Sequence, residues 1–413
     1  MSSTPHVLII GGGIGGLTLA QFLRKKGISF EVFERSPVAR IQGWAIALHG
    51  VLDEVKASVP DDMGPLELVS HLLPWDLPPE IIFHTPLSQH PTRVGVRGDG
   101  SGRLIRASRP KLREWLSLNI PIHYGKQAVR VEEGPSAVTV YFSDGSSATG
   151  DIVVGADGCQ SAIRKHLLGG QDVLKTEPIV VFDGEVTLSG EDMVRQLELG
   201  HSAYSVDTTD ENGVRGQLFA GLGYVNPDGK SALFYFHLMA HDKEAAEPGH
   251  WTETASKEEL FAAAMKMTER LPDKYNAIIK KTTIQGMRER PIKFHSLIID
   301  QLPESRVTLL GDAAHCMTPF RGEGGVHAIR DALNLAQTLL KVDKGNTEQL
   351  KSQLGSYQRE MLARGAEAVE RSRAVFALDR TKADSPRTRI IFGVKAEPLP
   401  EEPIFLHQLA ASA

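Results

Sequence analysis

The chain has 413 residues, enough for two units of ordinary domain size, and its 41% hydrophobic and 23% charged residues are those of a globular protein. A formal net charge of −5, with no apolar run of about 18 residues, argues against a nucleic-acid-binding or membrane-spanning chain. With two cysteines only, Cys159 and Cys316, a disulfide framework is excluded, no metal site is expected, and a reducing, cytoplasmic setting follows.

The polar start MSSTPH reads as a frayed leader, and the glycines that interrupt the next apolar run rule out a signal peptide. Val7 to Ile10 is an apolar run of strand length that leads into Gly11, Gly13 and Gly16, the glycines of GxGxxG, and then a helical pattern from Ile14 to Lys26. The first glycine permits a tight turn, the second lets the backbone approach a pyrophosphate, and the third lets helix and strand pack closely. Phosphates would sit at the helix N-terminus, where free N–H groups and the helix dipole favour negative charge. A second strand, Ser29 to Phe33, ends at Glu34, at the spacing of roughly 20 residues expected for an acid that receives ribose hydroxyls. The competing reading is a plain glycine turn with a solvated Glu34.

Residues 53–80 are mixed and proline-rich and read as a crossing between two lobes. Leu104 to Leu118 reads as a short strand, a loop and a helix starting near Pro110. Ile120–Tyr124, Ala128–Glu132 and Ala137–Phe142 alternate as strands do, with SDGS as a hairpin turn. Asp151 to Gly155 is a buried strand entering a second motif, DIVVGADGCQSAIR. From Glu177 to Gln285 the pattern changes to strands at Ile179–Leu188, Gly216–Leu222 and Ala232–Met239, with a helix at Lys257–Arg270. Arg306–Leu310 returns to the first lobe as a strand and opens a third motif, VTLLGDAAHCMTPFRGEGGVHAIRDALNLA. There Asp312 stands just past a strand end beside small residues, and Gly322, Gly324 and Gly325 lead into a helix aimed at an electron-rich group. Helices follow at Val326–Lys341 and from Thr347 towards Ala377; the tail after Lys382 is expected to cross the surface. The three motifs, in this order, point to one bound FAD.

Together they resemble the group A, para-hydroxybenzoate hydroxylase-like, FAD-dependent monooxygenases over roughly residues 5–375. The resemblance implies an α/β fold: a Rossmann-like FAD-binding lobe (1–75, 101–175 and 286–345), an inserted, mostly antiparallel β-sheet substrate lobe (76–100 and 176–285), and C-terminal helices with a tail (346–413). By matching positions it places Gly11, Gly13 and Gly16 at the pyrophosphate, with Ile14 and Gly15 beside them, and Glu34 at the adenosine ribose, with Arg35 also counted as cofactor-binding. Arg109 would reach the FAD from the side, and Gly43 to Ile46, with Ala45, would form the strand beside the flavin. Asp157, Gly158 and Arg164 match a segment tied to FAD packing and NAD(P)H use. Asp312 would bind the ribityl–pyrophosphate stretch, and Gly324, Gly325 and Val326 would offer backbone N–H groups to the ring. FAD is expected to be tightly and non-covalently bound, with NADPH or NADH as co-substrate.

Two departures stand out. The late loop reads GEGGV where the pattern has G-Q-G-x-N, so Glu323 brings a negative charge towards a cofactor that becomes anionic. Asp183 stands where many relatives carry arginine.

The implied reaction has NAD(P)H reduce FAD, oxygen add at flavin C4a, and one oxygen atom pass to an aromatic or polyketide/alkaloid-like molecule of secondary metabolism. Alternatives on the same scaffold are an oxidase, which a missing NAD(P)H requirement would favour, a dehydrogenase or an epoxidase, and a non-redox flavoprotein. A halogenase is disfavoured, because no tryptophan lies in a W-x-W-x-I-P segment. Candidate catalytic side chains are Tyr235 and His237, which share one face of a strand, and His49. His315 reads as structural, and Arg288 and Arg290 as surface or interlobe charges.

Overall fold

A computed structural model describes residues 4–38, 43, 45–75, 77–98, 104–211, 213–376, 390–391 and 394–399. The first leader residues, Trp44 and most of the expected tail crossing lie outside the described residues.

The elements open with β1 (Val7–Ile10), α1 (Ile14–Lys26), β2 (Phe30–Glu34), β3 (Ala45–His49), α2 (Leu52–Ser58), β4 (Glu80–His84) and β5 (Arg93–Arg97). Next come β6 (Leu104–Ser108), α3 (Arg109–Ser117), β7 (Ile122–Tyr124), β8 (Ala128–Glu133), β9 (Val138–Phe142), β10 (Ser147–Gly150), β11 (Ile152–Gly155) and α4 (Ala162–Leu167). The middle holds β12 (Lys175–Thr176), β13 (Ile179–Ser189), α5 (Gly190–Leu199), β14 (Ala203–Asp207), β15 (Gly216–Val225), β16 (Ser231–His241), α6 (Lys257–Met267) and α7 (Asp273–Gly286). The chain continues through β17 (His295–Ser296), β18 (Val307–Leu309), α8 (Asp312–His315), α9 (Gly324–Leu339) and α10 (Thr347–Ala374). Short strands β19 (Ile390–Ile391), β20 (Val394–Lys395) and β21 (Glu397–Pro398) follow.

The order β18-β11-β1-β2-β7 makes a five-stranded parallel sheet. All four residues of β1 are buried, as a central strand covered on both faces requires, so its sequence is unbroken apolar rather than alternating. α1 runs from the glycine turn and packs against α9 and α3. It stops at Gly27, whose φ of 66° gives the left-handed cap that returns an N–H to the Arg24 and Leu23 carbonyls. Arg24, Lys25 and Lys26 in its last turn complement the negative end of the helix dipole.

The second large unit is a seven-stranded sheet, β13-β16-β15-β14-β4-β5-β21. It is antiparallel except where β14 pairs parallel with β4, which reaches the sheet from the early part of the chain and not through a hairpin. One face of β16, with Phe234, Phe236 and Leu238, closes a core against α5, α6 and α7. A Ser256–Glu259 capping box starts α6. A separate and larger core surrounds the parallel sheet.

β6 runs directly into α3 at Arg109, so the loop expected between them is absent. α5, β14 and α7 arise where the sequence offered no clear period. β21 adds an edge strand to the seven-stranded sheet, so this part of the tail is sheet and not a simple surface crossing.

Candidate functional site

The glycine turn is held from several sides. Gly11 has φ 120°, and a β-carbon there would lie 2.2 Å from the Ala156 carbonyl oxygen; one on Gly16 would lie 2.1 Å from the Gly11 carbonyl oxygen. Gly15 abuts Leu310, at 2.6 Å from such an atom. Gly13 differs: it is exposed, and a β-carbon there would meet nothing within 4 Å. It caps α1, whose first turn, beginning at Ile14, holds no acidic residue to compete for the free N–H groups. Glu34 is tied to this turn and not merely solvated. Its carboxylate accepts from Gly12 N at 2.9 Å and Ser36 N at 2.8 Å. Arg35 beside it is exposed. Arg113, which the sequence reading did not single out, donates from Nε to the Gly12 carbonyl at 3.1 Å.

The second and third motifs meet through Arg164. This fully buried side chain donates to the Cys159 carbonyl at 2.6 Å and the Ala313 carbonyl at 3.1 Å. Asp157 has both carboxylate oxygens engaged at the start of α4, by Ser161 Oγ, Ala162 N and Ile163 N. Burial nonetheless pushes its pKa up, against those hydrogen bonds. Asp312 is exposed at the start of α8, just after Gly311 at φ 60°. His315 is buried. Its Nε2 pairs with buried Asp331 at 2.7 Å, and Asp331 also accepts from Gly311 N and Arg364 at 2.7 Å each.

Gly324, Gly325 and Val326 form the first turn of α9. A β-carbon on Gly325 would strike Ile46 Cδ1 at 2.2 Å, so the late loop sits against β3. Gly43 lies against Arg109, whose Cδ would be 2.8 Å from a β-carbon there. Glu323, on this loop, is paired with Arg321 at 3.2 Å, and Arg371 stands 3.9 Å away.

β3 and β6 form an antiparallel ribbon in which Ala47 faces Arg106 and Ala45 faces Ser108. Period 2 puts Ile46, Leu48, Ile105 and Ala107 towards the nucleotide core and Ala45, Ala47, His49 and Arg106 on the opposite side. That opposite side meets the seven-stranded sheet: buried Arg106 donates from Nη2 to the Tyr235 hydroxyl at 2.6 Å. On the sheet, Phe219, Tyr235 and His237 form one aromatic wall, with Phe219–His237 stacked at 6.5 Å and Tyr235–His237 edge-on at 5.5 Å. The three catalytic candidates therefore divide between two facing walls, His49 on the ribbon and Tyr235 with His237 on the sheet. Asp183 is the direct cross-strand neighbour of His237, its carboxylate buried and paired with Arg288 Nε at 2.5 Å. Arg288 itself is exposed. Burial, and then Arg288, push His237 down to about 3; burial pushes Asp183 up to about 6 against Arg288. Burial also lowers His49, with Glu323 opposing. Among the described residues no cluster of His, Cys, Asp or Glu suits a metal ion, and no helix is long and apolar enough to cross a membrane.

Residues 110–372 match the family described as FAD binding domain, and residues 9–47 match an NAD(P)-binding Rossmann-like domain. The FAD-dependent monooxygenase thnD of Trichoderma harzianum is 41% identical over 408 residues, covering 97% of this chain and 99% of its own. The chain belongs to the group A FAD-dependent monooxygenases. The fold of this monooxygenase resembles 2,6-dihydroxypyridine-3-hydroxylase from Arthrobacter nicotinovorans, with TM-score 0.73 and 20% identity over 97% of this chain and 98% of that one. It also resembles Klebsiella pneumoniae HpxO complexed with FAD and uric acid, with TM-score 0.69, 22% identity and coverage of 91% and 90%. FAD is the cofactor of the monooxygenase, NAD(P)H its co-substrate, and O2 and a small molecule its substrates. The open space at Gly13 and the uncontested N-terminus of α1 fit a pyrophosphate.

Sequence reasoning missed Arg106, Arg113 and the pairing of Asp183 with Arg288. For Arg106 the available signal was a charge on the strand that precedes Arg109.

Proposed function

We propose that the enzyme oxygenates a small aromatic or polyketide/alkaloid-like molecule held between the β3–β6 ribbon and the seven-stranded sheet. The carrying observation is the aromatic wall of Phe219, Tyr235 and His237 facing a ribbon whose other side touches the late glycine loop. Flat aromatic faces bind flat substrates by offset or edge contacts and exclude water.

In this reading the units built on the parallel sheet (1–75, 101–175 and 286–345) hold FAD, and those of the seven-stranded sheet (76–100 and 176–285) hold the substrate. Gly11, Gly13, Ile14, Gly15 and Gly16 carry the pyrophosphate, and Glu34 with Arg35 the adenosine end. Arg109, Gly43 and Ala45 flank the cofactor, Asp157 acts through the α4 turn it organises, and Asp312 with the backbone of Gly324, Gly325 and Val326 serves the flavin end. Bound FAD supplies the electron transfer and the oxygen activation. The protein's own groups orient and shield. His237, with its pKa pushed down to about 3, is a neutral hydrogen-bonding group and a poor proton acceptor at neutral pH. A cytoplasmic setting fits Cys159 and Cys316, which are both free thiols.

The test is oxidation of NADPH, and of NADH, in air by FAD-loaded enzyme with a panel of phenols, indoles and polyketide acids. Stimulation by one compound, with oxygenated product exceeding peroxide, is the expected result. Flavin that stays oxidised under both nucleotides with every compound would overturn it.

A further inference from the structure

Arg106 is 5% exposed and brings a guanidinium cation into the interior. Two other arginines are more deeply buried, and both are well supplied with acceptors. Arg164 reaches two backbone carbonyls; Arg306 reaches the Asp151 and Pro135 carbonyls and Thr347 Oγ1. Each leaves only Nε unmatched. Arg106 reaches no carbonyl. Its Nη2 meets the Tyr235 hydroxyl and its Cζ lies 5.8 Å from the centre of the Phe219 ring, while its buried Nε has no hydrogen-bond partner among the described residues.

The charges around it do not compensate. Tyr235 stays a neutral phenol, because burial pushes its pKa up against the pull of Arg106. His71, hydrogen-bonded to the Arg106 carbonyl, is kept neutral by burial and then by Arg106 itself. Asp183 is held by Arg288, and Glu323 by Arg321 and Arg371. Glu185, opposite Tyr235 on β13, is exposed to solvent. A buried guanidinium without a counter-charge is costly unless something brings one. Phe219 and His237, which face the same space, are only half-buried, so a ligand can reach it.

We infer that the substrate carries an anionic oxygen group, a carboxylate or an ionised hydroxyl, which docks on Arg106 beside Tyr235. This rests on the reading of the cleft as the substrate site. The anion supplies the missing counter-charge, accepts from the guanidinium, and orients the ring against the Phe219–His237 wall. Recognition by a planar fork of donors favours carboxylate-like geometry over a neutral carbonyl.

The test titrates FAD-loaded enzyme with azide, a small anion that fits any pocket, and with 4-hydroxybenzoate against 4-hydroxybenzamide, reading the flavin absorption spectrum. Wild type should bind azide, and the carboxylate more tightly than the amide. Arg106→Gln should weaken both anions by about 10- to 100-fold and leave the amide unchanged, while Arg106→Lys recovers part of the loss. FAD content and far-ultraviolet circular dichroism report whether each variant folds. Azide that ignores wild type, or binds Arg106→Gln equally, overturns the inference. Failure of the cleft reading is separate: Phe219→Ala would then leave amide binding unchanged.

Discussion

At Gly13 a β-carbon meets open space, and at Gly16 it meets the Gly11 backbone at 2.1 Å. The two glycines therefore separate ligand from fold. Gly13→Ala should leave the melting of the apoprotein within about 0.5 kcal/mol of wild type, yet lower FAD affinity tenfold or more by filling the phosphate space. Gly16→Ala should lose apoprotein stability as well, by about 2 kcal/mol or more, because strand and helix must separate. Calorimetry and FAD titration check both. Asp183 makes a prediction of opposite kind. Its folded pKa, about 6, lies above the ordinary 3.8, so the folded state keeps its proton where the unfolded chain has lost it. Stability from this group is complete below the lower value and falls as pH rises through the upper one. Asp183→Asn should stabilise by about 1–3 kcal/mol at pH 8 and by little at pH 4, and Arg288→Met should destabilise at pH 8 but not at pH 4. Thermal melts across that range decide it. The glycines were legible in the sequence because their reason is local: a turn between a strand and a helix. Arg106 and the Asp183–Arg288 pair were not, because what makes them notable is the company they keep more than 100 residues away.

Among elements, the turn that presents Asp312 is held by helices behind it. Asp331 on α9 receives Gly311 N, His315 and Arg364, the last from α10. Burial opposes the charge of Asp331, but His315 and Arg364 outweigh it and hold the carboxyl below its usual range; Asp331 in turn outweighs burial and raises His315. A buried ion pair contributes little net stability, but removing one partner strands the others. Asp331→Ala should cost about 3–5 kcal/mol and weaken FAD retention, read by urea unfolding and by flavin release. Most element identities were legible, since α1, β13, β15, β16, α9 and α10 carry plain periodicity. α7 was not: Asn276, Thr282 and Thr283 break its apolar stripe, and its helix is made by packing on β13. The parallel β14–β4 pair was equally hidden, because sequence shows strands and not their neighbours.

For the whole molecule, two cores are joined by Arg106 to Tyr235 beside the proposed substrate site and by a small cluster in which Val375 and Phe376 pack with Ile179, Val181 and Met239. Ligand that binds only the folded state adds stability by mass action, so free FAD at about 100 times its dissociation constant should add about 2.7 kcal/mol. Calorimetry should show the holoenzyme melting later than the apoprotein by the corresponding shift. The two-unit plan was legible because the strand pattern changes between the second and third motifs. Which faces oppose each other depends on strand order, and β1 shows how far apart in the chain that order reaches. Its hydrogen-bonded partner β11 starts at Ile152, and β18, beyond β11, starts at Val307. On a ribosome adding 5–20 residues per second, the apolar edge of β1 waits roughly 7–30 s for β11, and the sheet roughly 15–60 s for its last strand. The nascent chain must be shielded through that interval, so its yield in a foreign host depends on chaperone supply and on the pace of translation.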